Sequence, residues 1–405
     1  MPSSRRQLLH SFGLTLAGVT CGISGADAVK ANSPTSLEWP MARYDPAGTG
    51  HHPTASGPTD DVEIRWAHHA PDWFLGTTSL VRRDDTLYAG GGGLLALDSD
   101  SGDRRFGFPG PYHSSPAFAP ASAYTTDTLA VTAPSGVFGL NANGGVTVPL
   151  FDQTIGSRRW ARPQSTGGGF FGPAEADVPV TTGGVIYTAL PGTNAVAALD
   201  PNDGRVQWRR THHEDDAVSA EINRPAVKDG FVFVTNWPKQ AAAYHAETGE
   251  RRWLVELDDQ LLLPPVATDR GVVVPSREFV YVLDPTDGSE VWRYSTEGNA
   301  TESTPAVADG TAFVADEQES LHAIDLKTGQ QRWTAPFDGP TTPVVADGTV
   351  YAVKSQYALI ALDADSGETL FEYHPSQVPL STPIVGDGVL YAANRRRIIA
   401  LEEAT

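Results

Sequence analysis

Cysteine is nearly absent. The chain has 405 residues and one of them, Cys21, is a cysteine. Everything after it can form no intramolecular disulfide, no thiolate metal site and no thiol nucleophile. Lysine is scarce as well, with 5 against 24 arginines, and the 29 basic residues face 49 acidic ones for a net charge of -20. A surface of that sign repels phosphate backbones, which excludes nucleic acid as a partner. Beyond the first thirty positions no run of about 18 apolar residues occurs, which excludes a spanning helix there. Gly90-Gly91-Gly92-Gly93 and Gly167-Gly168-Gly169 lack the Lys-Ser/Thr of a phosphate loop. No Gly-x-Ser-x-Gly nucleophile turn is found.

What the chain does have is glycine and proline, 40 and 31 residues, beside 40% hydrophobic and 9% aromatic residues. That mixture excludes general disorder and fits many short strands joined by tight turns.

The first 28 residues read as an export leader. Ser4-Arg5-Arg6-Gln7-Leu8-Leu9 precedes the apolar residues 12–19, the pattern of a twin-arginine signal, and Ala26-Asp27-Ala28 offers a cleavage site. Gly18-Val19-Thr20-Cys21 is an alternative, a lipobox without its usual leucine, which would put a lipid on Cys21. Either route predicts an exported protein, extracellular or held at the cell surface. Residues 29–61 read as a linker and lead-in to a domain at 62–405.

One motif returns along that domain: a small residue, an aliphatic, an Asp, a Gly four residues on, and an aromatic four residues after the Gly. Its copies centre on Asp98, Asp200, His245, Asp284, Asp325 and Asp363, with Gly102, Gly204, Gly249, Gly288, Gly329 and Gly367. The aromatics are Phe106, Trp208, Trp253, Trp292, Trp333 and Phe371. Asn141 with Gly145 reads as a decayed copy without its aromatic. The period is about 40 residues, the length of one four-stranded propeller blade. Each period also holds a Pro-led strand and an Asp-Gly pair (Asp229-Gly230, Asp309-Gly310, Asp347-Gly348, Asp387-Gly388), a strong hairpin signal. The last copy, ending at Leu401, lacks its fourth strand, while residues 62–66 supply a lone fourth strand with Trp66. The 344 residues from Val62 to Thr405 divide into eight blades of 43. The expectation is therefore all-β: an eight-bladed β-propeller of four-stranded antiparallel blades, closed by pairing the N-terminal strand with the C-terminal blade.

The Ala-x-Asp…Gly-x-x-x-Trp unit resembles the tryptophan-docking repeat of pyrroloquinoline-quinone (PQQ)-like propellers, which include quinoprotein alcohol dehydrogenases and BamB-like exported proteins. Trp39-Pro40-Met41-Ala42-Arg43-Tyr44-Asp45-Pro46 with Thr49-Gly50 is similar to the segment that opens many such chains. The resemblance implies that Trp66, Trp208, Trp253, Trp292 and Trp333 are staples between blades and that Gly204, Gly249, Gly288, Gly329 and Gly367 close their turns. The acidic, lysine-poor surface adds the expectation of a salt-loving, haloarchaeal source.

A partner site is expected where the innermost strands begin, at the mouth of the central channel: Asn223, Arg224, Glu302, Thr304, Thr342 and Thr382. The starts of the third strands add Asn236, Trp237, Glu278, Glu317, Lys354 and Arg395 to that face. The inserted residues 151–177 carry Arg158, Arg159, Trp160, Arg162, Phe170 and Phe171, an interface-like composition read as a partner loop. His51-His52 and His212-His213 show no third ligand, so no metal site is assigned. No catalytic residue is assigned. In the resembling enzymes a quinone sits over calcium in the channel, and no Asn/Glu/Asp set here matches that site. The reading is a monomeric, non-catalytic scaffold without cofactor that binds an envelope protein or carbohydrate. A PQQ-dependent dehydrogenase with calcium is the alternative.

Overall fold

Asp-Gly turns and short β-branched runs dictate hairpins, and hairpins are what the chain makes. The computed structural model describes residues 38–70, 80–112, 114–148, 153–163, 178–211, 222–261, 263–296, 298, 304–316, 320–339, 341–355, 357–376, 379–394 and 396–405. All of these lie in one unit, Pro34–Thr405. Among the described residues every regular element is a strand.

The strands follow one another in antiparallel groups of four, called blades here, with strands A to D running from the inside outwards. The first blade is Val81–Arg83, Thr86–Gly90, Gly93–Asp98 and Arg104–Pro109; the second is Ala117–Ala119, Thr128–Ala133, Gly136–Val148 and Gln153–Pro163. The third is Val180–Thr182, Val185–Ala189, Ala195–Leu199 and Val206–Thr211; the fourth is Ala226–Lys228, Phe231–Asn236, Gln240–His245 and Arg251–Glu256. The fifth is Val266–Thr268, Gly271–Pro275, Phe279–Leu283 and Glu290–Ser295; the sixth is Ala306–Ala308, Thr311–Ala315, Ser320–Asp325 and Gln331–Pro336. The seventh is Val344–Ala346, Thr349–Lys354, Ala358–Asp363 and Thr369–Tyr373. A terminal group joins Ile384–Gly386, Val389–Ala393 and Arg397–Glu403 to the N-terminal strand Val62–His69, whose Ile64 and Trp66 lie opposite Leu401 and Ala400. Strands A to C are almost wholly buried, whereas D strands such as Val206–Thr211 bury mainly the Trp.

The A–B turns take the form their sequence demands. Asp229, Asp309 and Asp347 have φ of 49°, 46° and 43°, and the following glycines 79°, 77° and 72°, as two-residue hairpins with two positive φ require.

Each docking aromatic reaches the next blade. The indole Nε1 of Trp66, Trp208, Trp253, Trp292 and Trp333 donates to the carbonyls of Ser99, Ala246, Pro285, Leu326 and Ala364 at 2.7–3.1 Å. Every acceptor is the residue after the repeat Asp, or after His245 which replaces it. Each indole also lies against the next blade's turn glycine, as Trp208 does against Gly249. The ring is thus buried while its one polar atom is satisfied.

The second blade departs from its expected form. Its C and D strands run long, paired from Val148↔Gln153 to Gly136↔Pro163 with two register shifts. Trp160 lies within this D strand, is buried, donates to Pro201 O at 2.9 Å and covers Gly204. The blade therefore has its docking Trp, displaced from the motif glycine by the lengthened hairpin. The glycine beneath Phe106 is Gly144, not Gly145. The same D strand also touches the first blade in parallel at Ile155↔Gly107, joining the two blades into one eight-stranded sheet.

Candidate functional site

A ring of A strands leaves one row of backbone N–H groups facing the axis. Residues 39–56 answer that row. Trp39 and Arg82 exchange two backbone bonds; the carbonyls of Pro40, Pro46, Ala47, Thr49, Gly50 and Ser56 accept from Phe118, Val227, Ala267, Val307, Val345 and Gly388. His51–His52 adds a short strand parallel to Val344–Ala346. The lead-in thus covers the inner strands of six blades and reaches the A–B turn of the terminal group at Gly388, closing edges that would otherwise be open.

Arg43 projects from this segment into the interior. Its guanidinium donates to Pro343 O at 2.7 Å and to Pro305 O, binding two A strands at once. Burial and the nearby Arg224 push its pKa down to about 9, so it stays charged at neutral pH. Gly48 and Gly50 admit the two guanidinium groups: a Cβ on Gly50 would stand 2.4 Å from Arg43 Nη2, and one on Gly48 would meet Arg224. Asp45 folds the turn, taking N–H bonds from Gly48 and Thr49 and the hydroxyl of Thr49 at 2.6–2.9 Å. Trp39, Tyr44 and His52 stack nearby, with Tyr44 and His52 centroids 4.4 Å apart. His52 accepts N–H bonds from Thr54 and Ala55, and burial pushes its pKa down to about 4.

The residues expected at the channel mouth separate into kinds. Arg224 is buried against the lead-in, and Asn236 is fully buried with its amide on Trp237 O. Asn223 joins strands A and B through Thr235, as the hydroxyls of Ser114, Thr341 and Ser381 do in other blades. Thr304 is buried, while Thr342, Thr382 and Lys354 are half-buried. Trp237 and Glu278 are exposed. Glu302, Glu317 and Arg395 lie outside the described residues, as do His212, His213 and Cys21. Tyr357 is also exposed, at 61%, in the B–C turn of the seventh blade. B–C turns share one face, so Trp237 and Tyr357 lie on the same side of the ring. The sequence signal for Tyr357 is an aromatic between a hairpin's strands.

In residues 151–177, 153–163 form the D strand described above, and Phe170 and Phe171 lie outside the described residues. Trp160 is a staple, which corrects its reading as a partner residue: the indole faces inwards. Arg162 donates to Gly204 O at 2.7 Å, as Arg210 does to Gly249 O. Arg159 binds Thr128 and Asn141 and lies 4.0 Å over the Tyr124 ring. Arg158 is exposed, 5.8 Å from the Phe138 ring centroid.

A calcium–quinone pair needs six or more converging oxygens around the metal. At this axis the described charged side chains are two guanidiniums and Asp45, which spends both oxygens on its own turn, and among the described residues no three His, Cys, Asp or Glu converge. The described axial donors do not fit that pair.

The family described as outer membrane protein assembly factor BamB matches residues 192–405. The chain belongs to that family. The BamB of Yersinia pestis is 28% identical over 154 residues, 34% of this chain and 38% of that one. The chain thus spans under two-fifths of that curated relative. Among solved structures, BamB from Moraxella catarrhalis superposes with a TM-score of 0.63 at 13% identity, covering 85% of this chain and 98% of that one. Quinohemoprotein alcohol dehydrogenase from Comamonas testosteroni gives 0.71 at 13% identity, covering 94% and 83%. These likenesses establish a propeller of the PQQ-like repeat kind. For this BamB family member, the docking glycines and indoles belong to that fold.

Proposed function

We propose that this protein is an exported, non-catalytic propeller of eight blades, sealed where Val62–His69 meets Arg397–Glu403, that docks a protein of the cell envelope. The docking face is the one carrying the B–C turns, with Trp237, Tyr357 and Glu278 outermost. The observation that carries the reading is the axis itself: the chain's own lead-in and two arginines stand where an enzyme of the resembling kind would hold its quinone. Family membership supports the same reading, because its description names an assembly factor. The leader's paired arginines support export, with Cys21 as a lipid-anchor candidate, and the acidic surface suits work in concentrated salt.

A quinoprotein dehydrogenase is the second reading, favoured by the fold likeness to an alcohol dehydrogenase. Titration with PQQ and calcium, followed by absorbance and by dye-linked alcohol oxidation, separates the two. The scaffold reading expects neither binding nor turnover. Stoichiometric quinone binding with alcohol oxidation would overturn it.

A further inference from the structure

A polar cluster between the fifth and sixth blades belongs neither to the docking repeat nor to the axis. His322 Nε2 stands 2.9 Å from Asp316 Oδ2, and both side chains are almost wholly buried. His322 Nδ1 lies 3.1 Å from Tyr294 Oη, which is 2.7 Å from Gln331 Oε1. Asp316 also accepts the Ser320 N–H at 3.0 Å. These groups line a pocket of ≈ 340 Å³, shared with Thr296 and Thr334.

The repeat supplies its own control. Where the sixth blade has His322, the other blades have Leu95, Phe138, Ala197, Ala242, Tyr281, Ile360 and Ile399, none of them an imidazole. The fold therefore does not need a buried imidazole here, and burying one carries a desolvation cost. Tyr294 departs in the same way. Two residues past the docking Trp, Arg162 and Arg210 reach the next blade's turn carbonyl; Tyr294 turns to His322 instead.

We infer that this pocket binds a small neutral polyol of the monosaccharide class. Its described lining holds no Lys or Arg to meet an anion. Among the described lining residues the one carboxylate is Asp316, engaged by His322 and Ser320, where a cation needs several converging oxygens. What remains is hydroxyl, imidazole and amide groups beside the flat Tyr294 ring, a set suited to alternating O–H and C–H faces.

The site stands independently of the protein-docking face. D-glucose, D-mannose and myo-inositol, titrated by calorimetry and saturation-transfer NMR, are the probes. At least one binds the native protein, and both His322→Leu and Tyr294→Phe weaken it by roughly tenfold or more, about 1.4 kcal/mol. His322→Leu also strips the buried Asp316 carboxylate of its imidazole partner and should lower the melting temperature, so Tyr294→Phe is the cleaner probe of binding. Absence of binding by all three probes, or affinity unchanged in both variants, overturns the inference. Tyr294→Phe decides alone should His322→Leu fail to fold.

Discussion

Trp160 lies so close to Gly204 that a Cβ on the glycine would stand 2.4 Å from the indole Cε3. Gly204 also has φ of +69°, so an alanine would meet both a strained backbone and a ring in its place. Gly204→Ala should destabilise the protein by about 3 kcal/mol or more. Gly230 has φ of +79° and open space around it, so Gly230→Ala should cost only the backbone term, about 1 kcal/mol. Urea midpoints for the two variants make the comparison; equal losses would show that the ring contact carries nothing.

Trp160→Ala should cost about 3–5 kcal/mol through the cavity it leaves. Trp160→Phe keeps most of the burial and leaves Pro201 O with the Thr128 hydroxyl as its donor, so it should lose only about 1 kcal/mol. A thermal midpoint insensitive to both changes would restore Trp160 to the surface role that its sequence context implied.

Arg43 ties the sixth blade to the seventh through Pro305 O and Pro343 O. Arg43→Met removes the donors and leaves both buried carbonyls short of a partner. The expected loss is about 3 kcal/mol or more. Arg43→Lys should rescue little, since one ammonium replaces a planar fork. Chemical denaturation tests both; a lysine variant as stable as the native chain would argue against the bridge.

Acid should loosen the lead-in. An unfolded His52 takes up its proton near pH 6.5, but the folded one only near about 4. Between those values the unfolded chain binds more protons, so stability falls as pH drops from about 6.5 towards 4 and is flat above. His51 and His68 are lowered by burial and act in the same direction. Asp98 and Asp325, held at about 2 by Arg105 and Arg332, lose their contribution only further into acid, from about 4 downwards. His52→Asn keeps an acceptor for the Thr54 and Ala55 N–H groups and removes the titration. Its stability should fall less steeply between pH 6.5 and 4.5, by about 1.4 kcal/mol per pH unit at most. Parallel slopes would assign the acid sensitivity to other groups.

Trp237→Ala and Tyr357→Ala, made together, should leave the melting temperature within about 2 °C, since exposed side chains pack little. Capture of an envelope partner that the native protein retains should be lost. Full retention by the double variant would move the docking face elsewhere.

The strands and docking indoles were legible because their information is local. A turn glycine, an Asp and a Trp stand within ten residues of one another, as at Asp284, Gly288 and Trp292. Trp160 was misread because the lengthened, shifted hairpin placed it 15 residues beyond Gly145 instead of four. The course of the lead-in was illegible for another reason. It binds through the carbonyls of Pro46, Ala47, Thr49 and Gly50, which any sequence possesses. The Tyr294–His322–Asp316 cluster spans two blades, and no linear spacing announces it. Near the mouth, Asn223 and the Ser114, Thr341 and Ser381 hydroxyls, each two residues before a strand-A Pro, serve the A–B ladder.

Thr59 N donates to Glu403 Oε1, and Ala404 N to Asp61 O, across more than 340 residues of chain. Residues 59–61 therefore find these partners only after residues 403 and 404 have been made. Each blade can form its hairpins as it emerges, but Val62–His69 has no strand to pair with until Arg397–Glu403 exists. A product cut short before Arg397 would carry that strand with an unpaired edge, which gives the cell a physical means of telling it from a molecule in which the two strands have met.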